Sequence, residues 1–213
     1  MIFKVIIALF SVLLSSCVKS SVDITLGGND YKIPTNYVVS FEALKDANEF
    51  DQNGEMIALS FTHVSEISHL TGNNGWLPRS PVSVVIFNQE IGSFDKVLQK
   101  SVQLSDEIQV IELPNVYRIF DSQLNSHWKA INKNDSVRNA TSIKTEQLLD
   151  CYALGGTKGI NSSRTVEHIP TSCKVTIVED TLVMRISSSE KNLTEHFQVI
   201  RDLIISKLKT WKI

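Results

Sequence analysis

The residue types that could do acid–base, nucleophilic or metal chemistry are present, but they stand in no diagnostic spacing. The serines include no G-x-S-x-G elbow, which would expose a nucleophile between a strand and a helix. The histidines form no H-E-x-x-H pair, which would place two zinc ligands on one helical face; they are His63, His69, His127, His168 and His196. The sequence therefore predicts a protein that is not an enzyme and that holds no metal or cofactor.

The N-terminus has the order of an export signal. Lys4 supplies a positive charge, and the apolar run Val5–Leu14 is interrupted only by Ser11. A run this short does not cross a bilayer, which needs roughly 20 apolar residues, but it fits the apolar part of a signal peptide. We therefore expect residues 1–16 to be removed on export.

The residues that end this segment resemble the lipobox of bacterial lipoproteins: Leu14-Ser15-Ser16-Cys17 has an aliphatic residue, two small ones and a cysteine. The resemblance implies a diacylglyceryl group on Cys17, cleavage before it, and acylation of the new amine by a fatty acid such as palmitate. Several acyl chains anchor a protein stably. Val18 stands where an aspartate would favour the inner membrane, so the resemblance favours the periplasmic face of the outer membrane, with residues 17–22 as a lipidated tether.

The other two cysteines, Cys151 and Cys173, remain as an even pair in an exported chain. Such a pair predicts a disulfide. Two alternatives use the same residues. A metal site would need further ligands nearby, for which His168 is a candidate, and a catalytic redox pair usually has C-x-x-C spacing. A structural disulfide is therefore favoured.

Composition and charge exclude one class of partner. Hydrophobic residues make up 42% of the chain and charged residues 21%, which is the balance of a globular protein with a real core. The net charge is −2, and removal of residues 1–16 takes away Lys4 alone and leaves −3. Nucleic-acid binding needs a basic face or stripe, so we expect no nucleic-acid partner.

Strand patterns dominate the chain after the tether. Apolar alternation flanks the turn residues Gly27–Asp30 and again flanks Glu179–Asp180, which predicts two hairpins. The runs Glu55–Val64 and Val82–Phe87 predict further strands. By contrast, Ser122–Thr145 is polar and rich in asparagine, so we expect a loop there.

The C-terminus has the period of an amphipathic helix, with Asn192 as the expected N-cap. The apolar stripe consists of Leu193, Phe197, Ile200, Ile204, Leu208 and Trp211. Many strands followed by one such helix predict an α+β fold, in which an antiparallel β-sheet packs against the C-terminal helix and carries one disulfide. We expect a single periplasmic domain over residues 23–213.

Five residues are candidates for binding a partner. Trp76 and Trp128 lie in stretches that predict loops, and loop tryptophans are enriched at binding hot spots. The alternative is that each ring folds back onto the core. Asp95, Asp106 and Glu107 are acidic side chains that we expect on the surface. Together they predict a contact surface of aromatic and acidic groups.

Four features resemble small periplasmic immunity lipoproteins that accompany type VI secretion toxins. They are the segments Tyr31–Pro34 and Ile57–Phe61, the spaced cysteines, and the helix that ends at Trp211. The resemblance implies a non-enzymatic protein that binds and neutralises an antibacterial toxin. Two other functions stay open: an assembly lipoprotein of an envelope or secretion complex, and a binder of a small molecule or lipid, which would need an apolar pocket between sheet and helix.

Overall fold

The architecture comes from a computed structural model of the chain. It describes residues 20–39, 56–61, 64–67, 70, 82–88, 98, 100–121, 126–153 and 171–213. Across these residues, neither helix combines the length and the apolar character that a membrane crossing needs.

Within the described residues the chain forms strands, one short 3-10 turn and two α-helices. The strands are β1 (Ser21–Leu26), β2 (Asn29–Pro34), β3 (Met56–Ser60), β4 (Ser83–Phe87), β5 (Ser101–Gln103), β6 (Ile108–Glu112), β7 (Val116–Asp121), β8 (His127–Asn132), β9 (Ser136–Arg138), β10 (Ser142–Thr145), β11 (Leu149–Ala153), β12 (Thr171–Glu179) and β13 (Leu182–Ser188). The 3-10 turn is Ser65–Ile67, and the helices are α1 (Glu190–Glu195) and α2 (Phe197–Trp211).

Eight of the strands form one sheet in the order β3-β4-β13-β12-β11-β8-β7-β6. A small sheet has the order β5-β10-β9, and β1 pairs with β2. Every one of these pairs is antiparallel. The architecture is thus predominantly β with helices at the C-terminus, which agrees broadly with the expected α+β class.

The first hairpin, β1–β2, confirms the turn predicted at Gly27–Asp30. Gly27 and Gly28 have φ values of +55° and +77°, a region that other residues rarely adopt. Gly27 also lies against the turn between β12 and β13: its carbonyl accepts a hydrogen bond of 2.8 Å from Thr181 Oγ1. A Cβ at Gly27 would lie 2.5 Å from that oxygen, so both the conformation and the contact require glycine.

Apolar clusters lie on both faces of the large sheet, because successive strand residues point to opposite faces. On β7, Val116 and Phe120 join the main core, which also contains the buried residues of α2. Ile119, from the same strand, joins a second core with Val102 of β5 and Ile143 of β10. The helices therefore cover one face of the sheet, and the small sheet covers part of the other face.

The predicted C-terminal stripe is confirmed, since all six of its residues are buried. The predicted start of the helix is wrong. Ser189, not Asn192, is the N-cap, and its side chain accepts a hydrogen bond from the Asn192 N–H. The helical stretch is also divided at His196, which ends α1 and precedes α2. Asn192 is buried and its amide donates to Ser188 Oγ at 3.0 Å, so its polar group serves packing.

The prediction of a loop over Ser122–Thr145 is wrong for the described part of this segment, which contains β8, β9 and β10. Its asparagines make tight turns rather than a long loop. Asn139 Oδ1, for example, accepts hydrogen bonds from the N–H groups of Thr141 and Ser142 at 2.9 and 2.7 Å. The strands between these turns are short, and each carries polar residues beside its apolar ones, so the polar composition conceals them.

The predicted disulfide joins Cys151 of β11 to Cys173 of β12. The two residues are register partners on neighbouring strands, and both are buried in the main core. The bond therefore fixes two central strands of the large sheet to each other beneath the helices.

Loss of this disulfide should lower stability without changing the fold. Replacing Cys151 and Cys173 together by alanine opens a loop with a sequence separation of 22. Loop-closure entropy then predicts a decrease of about 3 kcal/mol in the free energy of unfolding, measured by urea denaturation. A reductant should destabilise the native protein and leave the double variant unaffected. Equal stability of the two proteins under oxidising conditions would contradict a structural role.

Candidate functional site

The predicted site residues have different outcomes. Cys17, Trp76 and Asp95 lie outside the described residues. Asp106 and Glu107 are exposed in the turn between β5 and β6, as expected for surface acids. They lie at one edge of the large sheet, because β6 is its last strand.

Trp128 is not a loop residue, and of the two placements expected for it the structure shows the one in which the ring packs onto the core. It lies on β8 and is only 5% exposed. Its indole Nε1–H donates a hydrogen bond of 2.8 Å to Glu190 Oε1, and its ring packs against Phe120. A residue that is buried and already hydrogen-bonded cannot serve as a contact for a partner without unfolding part of the core.

Glu190 is the centre of a buried ionic network that the sequence did not predict. The guanidinium of Arg118, on β7, binds both carboxylate oxygens: its Nε lies 2.9 Å from Oε1 and 3.0 Å from Oε2, and its Nη2 also contacts Oε2. The two side chains are 5% and 8% exposed. The guanidinium also lies over the Trp128 ring, 5.2 Å from its centroid. The pair is 72 residues apart in the chain, so no local signal could have found it.

The same network attaches α1 to the sheet. The Glu190 N–H donates to Thr171 Oγ1 of β12 at 3.0 Å. At the other end of the helix, Asn132 of β8 donates from its side-chain amide to the Thr194 carbonyl at 2.6 Å. Among the described residues, no buried side-chain nitrogen or oxygen lacks a hydrogen-bond partner. The charged groups inside the protein are therefore engaged with each other and hold a helix in place.

Glu190 also lies close to the disulfide, since its carboxylate and the sulfurs of Cys151 and Cys173 fall within 4.8 Å of one another. Thiolates and a carboxylate are zinc ligands. Here the sulfurs are bonded to each other, and the carboxylate binds Arg118 and Trp128. The arrangement therefore serves structure in the oxidised protein.

Four exposed side chains and the half-buried Lys129 lie on the other side of the same strands. We call this surface the open face and define it by His127, Lys129, Asp150, Tyr152 and Lys174. By register, Asp150 of β11 lies between Lys129 of β8 and Lys174 of β12. Tyr152 lies opposite His127, with ring centroids 6.1 Å apart.

The open face extends over three adjacent strands, β8, β11 and β12. Neither the helices nor the small sheet covers it. Tyr152 is 36% exposed and is one of the few large hydrophobic side chains on the described surface. Tyrosine is enriched at binding hot spots because its ring gives a large contact area and its hydroxyl a polar contact. The surrounding charges alternate in sign from strand to strand, so the surface can match a partner that carries the opposite pattern.

A cleft of about 540 Å³ lies elsewhere, between β12 and α2. Its walls include Val175, Ile177 and Phe197, but also the exposed ion pair Lys100–Glu146, with an N–O distance of 3.0 Å. Ligand pockets of this size are usually enclosed and mostly apolar. This cleft is partly charged and open to solvent. It therefore does not have the apolar lining that a small-molecule or lipid site between sheet and helix would need.

The comparisons with known proteins found little. No family model matches the chain, and no curated protein matches it. Among solved structures, an immunity protein of the Stenotrophomonas maltophilia type IV secretion system is similar, with a TM-score of 0.46 and 11% sequence identity. The alignment covers 91% of this chain and 94% of that chain. At this TM-score and identity the likeness assigns neither residues nor a role to this chain.

Breaking the buried ion pair should destabilise the protein strongly. Glu190→Gln keeps the shape but leaves the Arg118 charge buried without an anion, which costs about 3–5 kcal/mol of unfolding free energy. The matched control is Glu146→Gln in the exposed pair with Lys100, where about 0–1 kcal/mol is expected. Urea denaturation of both variants tests the difference. Similar small losses in the two variants would show that the buried pair does not hold α1.

Proposed function

We propose that the protein is a lipid-anchored lipoprotein of the outer membrane that faces the periplasm, lacks enzymatic activity and binds another protein. The observation that carries the proposal is the open face, where Tyr152 and His127 lie beside alternating charges on three adjacent strands. A broad surface of this kind fits the surface of another protein, whose contacts combine aromatic anchors with charged pairs.

The absence of enzymatic activity is supported by what the charged groups inside the fold do. Arg118 and Glu190 bind each other, and Glu190 also binds Trp128. A catalytic acid or base must reach its substrate directly or through one water molecule. These groups are buried and bound to each other, so in the described part of the chain they stabilise the packing and are not accessible to a substrate.

A protein partner fits better than a small molecule or lipid. The cleft between β12 and α2 is bordered by the Lys100–Glu146 pair, whose side chains are 60% and 80% exposed. A lipid or an apolar ligand would have to lie beside these hydrated charges. On the open face, by contrast, hydrated charges can pair with charges of the opposite sign on a partner.

The partner class that we propose is an antibacterial toxin of a secretion system, so that the protein acts as an immunity protein. The support is the sequence resemblance over Tyr31–Pro34 and Ile57–Phe61, together with the lipobox at Cys17. An anchored inhibitor would meet the toxin in the compartment that the toxin enters. An assembly lipoprotein of an envelope complex is the alternative, and it predicts a resident envelope partner instead of a toxin.

Growth competition tests this function and the open face together. Deleting the gene should make cells sensitive to a sister strain that delivers the toxin encoded beside it, and the intact gene should restore protection. Tyr152→Ala should fail to protect, because loss of a hot-spot ring costs about 2 kcal/mol or more of binding free energy. Val199→Ala, which changes a 49% exposed residue of α2, is the matched control and should protect fully.

Immunoblots must show equal amounts of both variants, so that a loss of protection reports binding and not folding. Undiminished resistance after deletion, against every toxin-producing sister strain tested, would contradict the immunity function. Protection by Tyr152→Ala at the native level would instead contradict the open face as the contact surface.

Lipid attachment is tested separately on Cys17. The wild-type chain should incorporate radiolabelled palmitate and sediment with outer-membrane vesicles. Cys17→Ala removes the thiol that would carry the diacylglyceryl group, so it should incorporate no label and keep its N-terminal segment. Equal labelling of the two chains would rule out Cys17 as the lipidated residue.

A further inference from the structure

The outer side of β6 is a free edge of the large sheet, since β6 pairs only with β7 in the described residues. The Leu113 N–H donates to the Val116 carbonyl at 2.9 Å and closes the β6–β7 hairpin. Hydrogen-bonded and non-hydrogen-bonded pairs alternate along an antiparallel ladder. The N–H and C=O groups of Val110 and Glu112 therefore point away from β7, toward the free side.

Within the described residues, little protects this edge against pairing with another strand. Natural edge strands carry prolines, bulges or inward-pointing charges, or they are covered. β6 contains no proline and no bulge, since its register with β7 is continuous from Ile108 to Glu112, and its one charged side chain, Glu112, is already paired with Lys133 and Arg138. Its residues Ile108, Val110 and Ile111 are apolar and only partly buried. An unguarded edge with apolar side chains on both faces is suited to receive another strand.

The two ends of β6 carry opposite charge. Asp106 and Glu107 form the exposed turn at its start. At its other end, Glu112 is bound by Lys133 at 2.7 Å and by Arg138 at 3.4 Å. Both cations also lie over the ring of Tyr117, at 5.0 and 5.2 Å. The hydrogen bond and the charge of Lys133 hold the pKa of Glu112 below its ordinary value, and the cluster keeps one excess positive charge.

We propose that a second copy of this chain pairs its β6 with this edge, antiparallel and about a two-fold axis at Val110. In that register Ile108 of each copy faces Glu112 of the other. The acidic turn of each copy then comes close to the cationic cluster of its partner, and the match occurs twice because the interface is symmetric. A strand from an unrelated protein could also satisfy the backbone groups of β6, but only a second copy necessarily carries the complementary ends.

The pairing does not depend on a toxin. The open face lies on β8, β11 and β12, so a second copy at β6 takes none of the residues that define it. Dimerisation and protection are therefore separate properties, and either can fail while the other holds.

In-cell cysteine crosslinking of the full-length chain tests the proposal. In the proposed register the two Val110 residues form a hydrogen-bonded pair with Cα atoms about 5.5 Å apart, which is within the range of a disulfide. Val110→Cys should therefore give a band at twice the monomer mass on a non-reducing gel, in cells that lack any toxin. Val199→Cys, at a 49% exposed position of α2 away from β6 and from the open face, is the control and should stay monomeric.

Charge reversal then tests the register. Asp106→Lys with Glu107→Lys, added to Val110→Cys, should reduce the dimer band severalfold, because each turn would then place two cations beside Lys133 and Arg138 of the other copy. The Cys151–Cys173 bond must form in all variants, which shows that they fold. A monomeric Val110→Cys chain, a crosslink to a protein of another mass, or an undiminished dimer after charge reversal would overturn the proposal.

Discussion

The contact between Arg118 and Glu190 is the interaction on which the arrangement of the main core depends. Glu190 is the first residue of α1, and its carboxylate is held by Arg118 of β7 and Trp128 of β8. Two charges buried to this degree are tolerated only when they are paired and fully hydrogen-bonded. The pair thus fixes where the chain leaves the sheet, and α2 follows with its apolar stripe directed into the main core. The disulfide lies beside this point and joins the two strands that the helices cover.

The two faces of the large sheet therefore have different roles. On β8, β11 and β12 one set of alternate residues enters the main core, including Trp128, Cys151 and Cys173. The residues between them point to the opposite face, where Ile131 enters the second core and the remaining exposed or half-buried residues define the open face. Because the Arg118–Glu190 network and the main core stabilise one face, the exposed residues of the other face can differ in shape and charge without loss of the fold. Under our proposal, the side that binds a partner is therefore separate from the side that supplies stability.

Local patterns predicted much of this fold, and long-range contacts account for what they missed. The hairpins around Gly27–Asp30 and Glu179–Asp180 and the stripe that ends at Trp211 follow from neighbouring residues, and the structure confirms them, with the turns themselves at Gly27–Gly28 and Asp180–Thr181. The loop expected around Trp128 was wrong because composition outweighed alternation: the polar neighbours His127 and Lys129 belong to a strand with one solvated face. The Arg118–Glu190 pair could not be predicted, since only the folded topology brings the two residues together. The open face was missed for the same reason, because Tyr152, His127 and Lys174 meet only through strand pairing.

Hydroxyl-radical footprinting of the protein, alone and with the toxin proposed as its partner, tests whether the open face is the contact surface. Exposed aromatic rings are labelled readily, so His127 and Tyr152 report on the open face, whereas Trp128 should be labelled little in either state. We expect the toxin to reduce the labelling of His127 and Tyr152 and to leave the labelling of Val199 on α2 unchanged. Unchanged labelling of Tyr152 in a saturated complex, with protection confined to the helical side, would contradict it.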